Sequence, residues 1–288
     1  MSFLRRIFGS RGHEVGELAR RLDVSEGELR SVAPTYTEFT IPKRGGGVRR
    51  ILAPSPELKS MQRRILHRLL GRLRVHPCVT GFEKGHSIVT NAVCHQGKAV
   101  VIRMDIRDFF ANTSAKRVRK YFQTIGWNRE ATEILVRLCT YENGLPQGAP
   151  TSPRLANLVN YGLDAHLEGL AKRFGGAYTR YADDLTFSFD QDGPTQHHPV
   201  ISVSKLILAS EGYSLHMKRK LHIRRQHERQ LVTGLVVNVR PALPRETRRW
   251  LRAVEHRAST GGNPTLSEGQ REGWHALQSM IETQRAHS

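Results

Sequence analysis

Tyr178-Thr179-Arg180-Tyr181-Ala182-Asp183-Asp184-Leu185-Thr186-Phe187-Ser188-Phe189 is the stretch on which the fold turns. Leu185, Phe187 and Phe189 alternate with Thr186 and Ser188, the period-two pattern of a strand with one face toward a core. Tyr178 to Tyr181 reads as its partner. Only Ala182-Asp183 or a neighbouring pair is left to reverse the chain, and these residues lack the Asn-Gly chemistry that makes such a turn comfortable. A locally unfavourable turn in a clean hairpin is expected more often at functional sites than elsewhere, and this one carries two adjacent acids.

Working outward, Val100-Val101-Ile102-Arg103-Met104-Asp105 reads as a buried strand with a carboxylate at its end. If it neighbours the hairpin in one sheet, Asp105 meets Asp183 and Asp184. Carboxylates from separate segments suit magnesium, which prefers oxygen ligands and keeps waters and substrate phosphates in its shell. Two such ions roughly 3.5 to 4 Å apart can clamp the attacking and leaving oxygens of a phosphoryl transfer. The bland alternative is a solvated acidic turn.

Before these strands, Glu14 to Arg21 reads as a short helix, and Ser25 with Glu28 opens a second in a capping-box pattern. The pair imitates a helix-turn-helix, but two short helices with a turn are common packing units, and that is the expectation adopted. From Tyr36, two extended runs flank the basic glycine turn Lys43-Arg44-Gly45-Gly46-Gly47. Leu58, Met61, Ile65, Leu69 and Leu73 then recur at helical spacing. Ser87 can cap a helix on which Asn91 and His95, four apart, share a face. Further helices are expected from about Ser114, through Ile134-Leu135-Val136 and over Leu155 to Leu167, whereas His197-His198 reads as loop. A helix near Pro244 carries Arg248, Arg249, Arg252 and Arg257. After a Gly-Gly-Asn-Pro linker, Ser267 and Gln270 form a capping box for a last helix with Trp274, Leu277 and Ile281 on one face.

The 45 Lys+Arg against 26 Asp+Glu give a formal net charge of +19, which attracts a polyanion such as nucleic acid. No apolar run approaches a membrane span, and Met1 to Arg11, though basic, lacks the apolar core of a secretory signal, so the expectation is a cytoplasmic protein. Cys78, Cys94 and Cys139 are widely spaced without a CxxC pair, and are read as reduced and structural.

Tyr181-Ala182-Asp183-Asp184 resembles the acidic signature of reverse transcriptases. Asp105-Ile106-Arg107-Asp108-Phe109-Phe110 resembles their first metal-binding motif, and Gly144 to Pro153, containing Leu145-Pro146-Gln147-Gly148, is similar to their LPQG segment. Asn91-Ala92-Val93-Cys94-His95 looks like the NAxxH element of retron reverse transcriptases, and Val232-Thr233-Gly234 like their VTG element. The likeness runs from about Tyr36 to Asn238. No second enzymatic domain is evident, which argues against a full group II intron protein.

The resemblance implies an α+β right-hand polymerase: an N-terminal helical extension (1–35), interleaved fingers and palm with an antiparallel sheet (36–238), and a helical thumb (239–288). It implies that Asp105 and Asp183 bind both Mg²⁺ ions, that Asp184 completes or supports the site, and that the carbonyl of Ile106 contributes. Phe110 takes the position of the ring that excludes a ribose 2'-hydroxyl, with ordinary core packing expected for the other of the Phe109-Phe110 pair. Gln147 takes the position that contacts the incoming nucleotide. Lys43 and Arg49 resemble the triphosphate-binding cations, with Arg50 competing for the second role. In Leu215-His216-Met217-Lys218-Arg219-Lys220, Arg219 stands where a lysine is usual and is a poor proton donor, which brings in Lys218 and Lys220 as substitutes and leaves the role on the leaving pyrophosphate open among the three. Asn91 and His95 are assigned to recognition of the cognate RNA, against the alternative of a structural contact, and Arg248, Arg249 and Arg252 to a duplex-gripping thumb. The implied partners are deoxynucleotides, a structured non-coding RNA serving as template and primer from a guanosine 2'-hydroxyl, its satellite DNA product and, in anti-phage defence, a separate effector protein. A different bacterial reverse transcriptase, group II intron-like or abortive-infection type, and a non-catalytic RNA-binding scaffold are the competing expectations.

Overall fold

The computed structural model describes residues 12–43, 46–216, 221–263 and 265–286. The basic Met1–Arg11 stretch, Arg44 and Gly45 at the first hairpin tip, and the candidates Lys218, Arg219 and Lys220 lie outside the described residues.

Along the chain run α1 (Val15–Leu22), α2 (Glu26–Ser31), β1 (Tyr36–Pro42), β2 (Val48–Pro54), α3 (Pro56–Arg64), α4 (Ile88–Val93), β3 (Val100–Asp105), α5 (Phe109–Asn112), α6 (Ala115–Thr124) and α7 (Arg129–Cys139). They continue with α8 (Ser152–Val159), α9 (Tyr161–Arg173), β4 (Gly176–Tyr181), β5 (Asp184–Phe189), α10 (Pro194–Ser210), β6 (His222–Arg225), β7 (Leu231–Val232), β8 (Leu235–Val236), α11 (Arg245–Ser259) and α12 (Glu268–Ala286). Helices and antiparallel sheets mix as expected of an α+β chain.

The described residues fall into two compact units, one from 12–76 with 108–162, the other from 77–107 with 163–286. In the first, α1 buries Val15, Leu18, Ala19 and Leu22. Arg137 of α7 donates to the carbonyls of Leu29 and Val32 at the end of α2 (2.7 and 2.5 Å), so both N-terminal helices are packing elements. Ser25 accepts from the Glu28 amide. The apolar stripe at Leu58, Met61, Ile65 and Leu69 is buried, but the helix does not run unbroken: α3 ends at Arg64, a π turn covers Ile65–Leu69 and a 3₁₀ turn Leu70–Arg72. The helix expected over Leu155 to Leu167 is two, broken at Asn160, whose side-chain amide donates back to the Ala156 carbonyl (2.7 Å).

In the second unit the sheet order is β4-β5-β3-β6, antiparallel throughout. Val100, Ile102, Met104, Leu185, Phe187 and Phe189 are all fully buried. A further cluster gathers Val89 and Ala92 of α4, Val101, Val232, Leu235, Val237, Leu243, Leu251 of α11 and Ile281 of α12. Trp274 and Leu277 pack against it, as their spacing predicts. The Ser267–Gln270 capping box is closed in both directions. The terminal helices thus share a core with α4 and β3. His197-His198, expected in a loop, lies within the 17-residue α10. Its buried Val200, Ile201, Ser204 and Leu208 follow helical spacing, which two prolines and a β-branched run disguise in the sequence.

Candidate active site

Strands β4 and β5 pair in a register that sets Tyr181 opposite Asp184 and leaves Ala182-Asp183 as a two-residue loop. Ala182 takes a φ of +57°, a left-handed conformation unfavourable for a residue with a Cβ. Gly81 makes room for it: a Cβ there would lie 2.7 Å from the Ala182 nitrogen. β3 lies on the other side of β5, with Asp105 and Asp184 as Cα partners. The Ile106 amide donates to the Asp183 carbonyl (2.9 Å), extending the pairing past the end of β3. Ser214 to His216 closes the remaining side, the His216 amide donating to the Asp105 carbonyl (2.9 Å) and the Arg107 amide to that of Ser214 (2.8 Å). Asp105 and the distant Asp183-Asp184 pair therefore issue from neighbouring backbone positions at one end of one sheet.

Two neighbouring side chains were not foreseen as site residues. Arg103, two residues before Asp105 and so on the same face of β3, donates to Asp184 Oδ2 (2.5 Å). Period two, already used for the hairpin, was the signal for it. His216 Nε2 stands 3.8 Å from Asp105 Oδ1. Among the described residues, no three His, Cys, Asp or Glu side chains are arranged as a ready metal cluster. Asp184 is instead drawn to Arg103. The donor set still fits a hard divalent cation, since it offers carboxylates and backbone carbonyls rather than thiols; Asp105, Asp183 and Ile106 with Asp184 are the residues that could hold one.

The other expected site residues separate by exposure. Phe109 is buried, while the Phe110 ring, centred 5.4 Å from it, stays partly exposed, so one ring serves the core and one does not. On the β1–β2 hairpin, Arg50 is held by Glu38 and Glu142 (2.7 and 2.6 Å). Arg49, opposite Ile41, faces the other side with its side chain exposed, as is that of Lys43. Gln147 sits in a fixed loop: its carbonyl accepts from the Leu52 amide (2.8 Å), and the Ser152 hydroxyl donates to the Pro146 carbonyl (2.7 Å). Arg248, Arg249 and Arg252 are exposed on α11, whose Leu251 and Val254 face inward.

Asn91 and His95 require a correction. Both are 0% exposed, so their side chains offer nothing to an RNA directly. α4 ends at Val93, and His95 lies beyond it. Its ring bridges the hairpin strands, with Nε2 2.7 Å from Thr179 Oγ1 on β4 and Nδ1 2.7 Å from Ser188 Oγ on β5. Burial, with Lys98 adding to it, pushes the His95 pKa down to about 3, so the ring is neutral. Asn91 Oδ1 accepts from the Thr80 hydroxyl (2.8 Å). The VTG element belongs to the same neighbourhood: Thr233 and Gly234 form the β7–β8 turn, both at positive φ, and the Thr233 hydroxyl donates to the Ile88 carbonyl at the start of α4 (2.8 Å). Both elements act first as internal fastenings.

A family model described as reverse transcriptase (RNA-dependent DNA polymerase) matches residues 41–235. The Retron Mx162 reverse transcriptase of Myxococcus xanthus is 40% identical over 285 residues, covering 85% of this chain and 58% of that protein. The Retron Mx65 reverse transcriptase of the same organism is 36% identical, covering 94% and 69% respectively. The Retron Ec86 reverse transcriptase of Escherichia coli is 38% identical, covering 78% and 71%. The chain thus spans somewhat more than half the length of the Mx162 relative.

Proposed function

This chain belongs to the reverse transcriptase (RNA-dependent DNA polymerase) family, and within it to the retron reverse transcriptases, and from that premise we propose that it copies a structured non-coding RNA into DNA. The reaction is template-directed addition of deoxynucleotides to a primer hydroxyl with release of pyrophosphate. One observation carries the proposal: Asp105 stands opposite Asp184, with Asp183 in the turn between the strands.

Asp105, Asp183 and the Ile106 carbonyl would hold a pair of Mg²⁺ ions, with Asp184 completing or supporting the set. Bound there, the ions supply activation of the primer hydroxyl and neutralisation of charge on the departing pyrophosphate. Arg103 orients Asp184. Lys43 and Arg49 bind the triphosphate, Arg49 with a planar fork suited to phosphate. Gln147 contacts the incoming nucleotide, and the Phe110 ring excludes a 2'-hydroxyl. Arg248, Arg249 and Arg252 grip the duplex through its phosphates and shape. Asn91 and His95 serve RNA recognition indirectly, by fixing the segments that meet the RNA. Pyrophosphate departure is assigned to the Lys218–Lys220 segment. The family further suggests a guanosine 2'-hydroxyl as primer, a satellite RNA–DNA product, a cytoplasmic place of action and an anti-phage role beside a separate effector protein.

The experiment is primer extension on an RNA template by the purified chain, with sequencing of the nucleic acid that co-purifies with it. DNA synthesis in Mg²⁺ that EDTA abolishes, together with a single enriched structured RNA covalently joined to DNA, is the expected result. A chain that binds RNA and extends no primer would favour the scaffold alternative.

A further inference from the structure

Next to the catalytic turn lies a charge that nucleotide addition leaves unused. Arg180 of β4, one residue before Tyr181, is 0% exposed, as is its partner Asp164 of α9. A buried guanidinium is strongly unfavourable unless its donors are satisfied. Here they are met with good geometry. Nε donates to Asp164 Oδ1 (2.7 Å) and Nη2 to Oδ2 (2.6 Å), a two-pronged pairing, and the Tyr178 hydroxyl adds a bond to Oδ1 (3.2 Å). Burial opposes the charge on Arg180, but Asp164 more than offsets it and holds the guanidinium above its ordinary pKa.

Stability alone does not explain such a pair, because well-packed apolar residues of similar volume commonly serve a core as well or better. What an arginine adds is a third direction. Nη1 reaches forward to donate to the carbonyl of Ala182 (3.1 Å), the residue held at φ +57°. The neighbouring turn carbonyl, that of Asp183, accepts from the Ile106 amide (2.9 Å). The main chain of Arg180 is itself fixed, its amide donating to the Cys78 carbonyl and its carbonyl accepting from the Thr80 amide (both 3.0 Å). Both carbonyls of an intrinsically unfavourable turn are therefore tied, one to a strand end and one to a buried cation that Asp164 aims.

We infer that Arg180, oriented by Asp164, is a positioning residue of the polymerase site: its hydrogen bond to the Ala182 carbonyl holds the left-handed turn that presents Asp183 and Asp184. The inference rests on the proposed polymerase activity. It requires that loosening the pair lowers turnover rather than nucleotide binding, since the turn carries the acids and the triphosphate cations lie elsewhere in the chain.

The test is steady-state primer extension with the full chain, comparing the parent with Arg180→Met combined with Asp164→Leu, and with Arg180→Lys. The double variant removes both charges while keeping the core filled, and Lys keeps a charge for Asp164 without the fork that serves two acceptors. Expected for the double variant is a melting temperature within a few degrees of the parent, a kcat lowered about 10- to 100-fold and a deoxynucleotide KM within about threefold. Arg180→Lys should restore part of the lost kcat. A folded double variant with parental kcat overturns the inference and leaves the polymerase reading standing, whereas a parent that extends no primer overturns both. Should neither variant fold, a crystal structure of the parent decides: Arg180 Nη1 within hydrogen-bond distance of the Ala182 carbonyl and Ala182 at positive φ uphold it, and their absence removes it.

Discussion

Hairpins β1–β2 and β4–β5 are both antiparallel ladders, yet they place the residues proposed for function by opposite means. In β1, every residue from Thr37 to Pro42 is exposed, and a Cβ at Gly46 or Gly47 of the turn would meet open space. Its cations reach outward, Arg49 to one side and Arg50, paired with Glu38 and Glu142, to the other. In β5, every residue from Leu185 to Phe189 is buried, and the turn is a tight Ala-Asp pair tied through both carbonyls. A cation that must follow a mobile, strongly charged substrate gains from reach. Carboxylates that must hold metal ions gain from a backbone whose every alternative is closed.

The contrast can be broken most severely at the turns. A Cβ at Gly81 would meet the Ala182 nitrogen at 2.7 Å, so Gly81→Ala must displace the Ala182-Asp183 turn. Primer extension is expected to fall about 100-fold, with a loss of roughly 1–3 kcal/mol in unfolding free energy by urea titration. Gly47→Ala, at φ +79° but with nothing within 4 Å, should cost only about 1 kcal/mol through its backbone and leave turnover within a few-fold. Similar losses at the two glycines would contradict the distinction.

Within β1–β2, the side chains can be separated next. Replacing Lys43 and Arg49 together by Ala should raise the deoxynucleotide KM about tenfold with a smaller change in kcat, as loss of charge-assisted phosphate contacts predicts. Arg50→Ala breaks only exposed ion pairs and should change KM less than about twofold. The reverse ranking would show that the register has been assigned to the wrong arginine.

The smallest effect concerns the ring that fastens β4 to β5. His95 has a folded-state pKa of about 3 against an ordinary 6.5, so the unfolded chain takes up the proton first. The neutral ring's contribution is complete above pH 6.5 and declines as the pH falls toward 3, by up to about 1.4 kcal/mol per unit. Between pH 6.5 and 5 the parent should lose about 2 kcal/mol more than His95→Gln, measured by urea unfolding. Parallel slopes would mean that His95 is accessible to protons in the folded protein.

Much of this architecture was legible because local signals and tertiary environment agreed. Leu185, Phe187 and Phe189 are buried as their alternation predicts, although Thr186 and Ser188 on the other face are buried too, and Asp105 ends a strand that is apolar nearly throughout. Legibility failed where tertiary partners decide. α10 was hidden because Pro194 and Pro199 with its β-branched residues argue locally against a helix, while burial of Val200, Ile201, Ser204 and Leu208 selects one. β6 carries a single apolar residue, Ile223, and exists by pairing with β3. The spacing of Asn91 and His95 allowed a structural contact, but its partners, the hydroxyls of Thr80, Thr179 and Ser188, come from distant segments that spacing does not name. Arg180 stood inside the deciding stretch, and its charge beside the buried Tyr178 and Thr179 was the unread signal.

Metal-dependent DNA synthesis at this site stands on the acids of the β4–β5 turn, and primer extension by Asp183→Ala combined with Asp184→Ala, on an RNA template in Mg²⁺, tests it in one comparison. The predicted result is synthesis at background in a chain that still folds and binds RNA. Extension at the parental rate would contradict it.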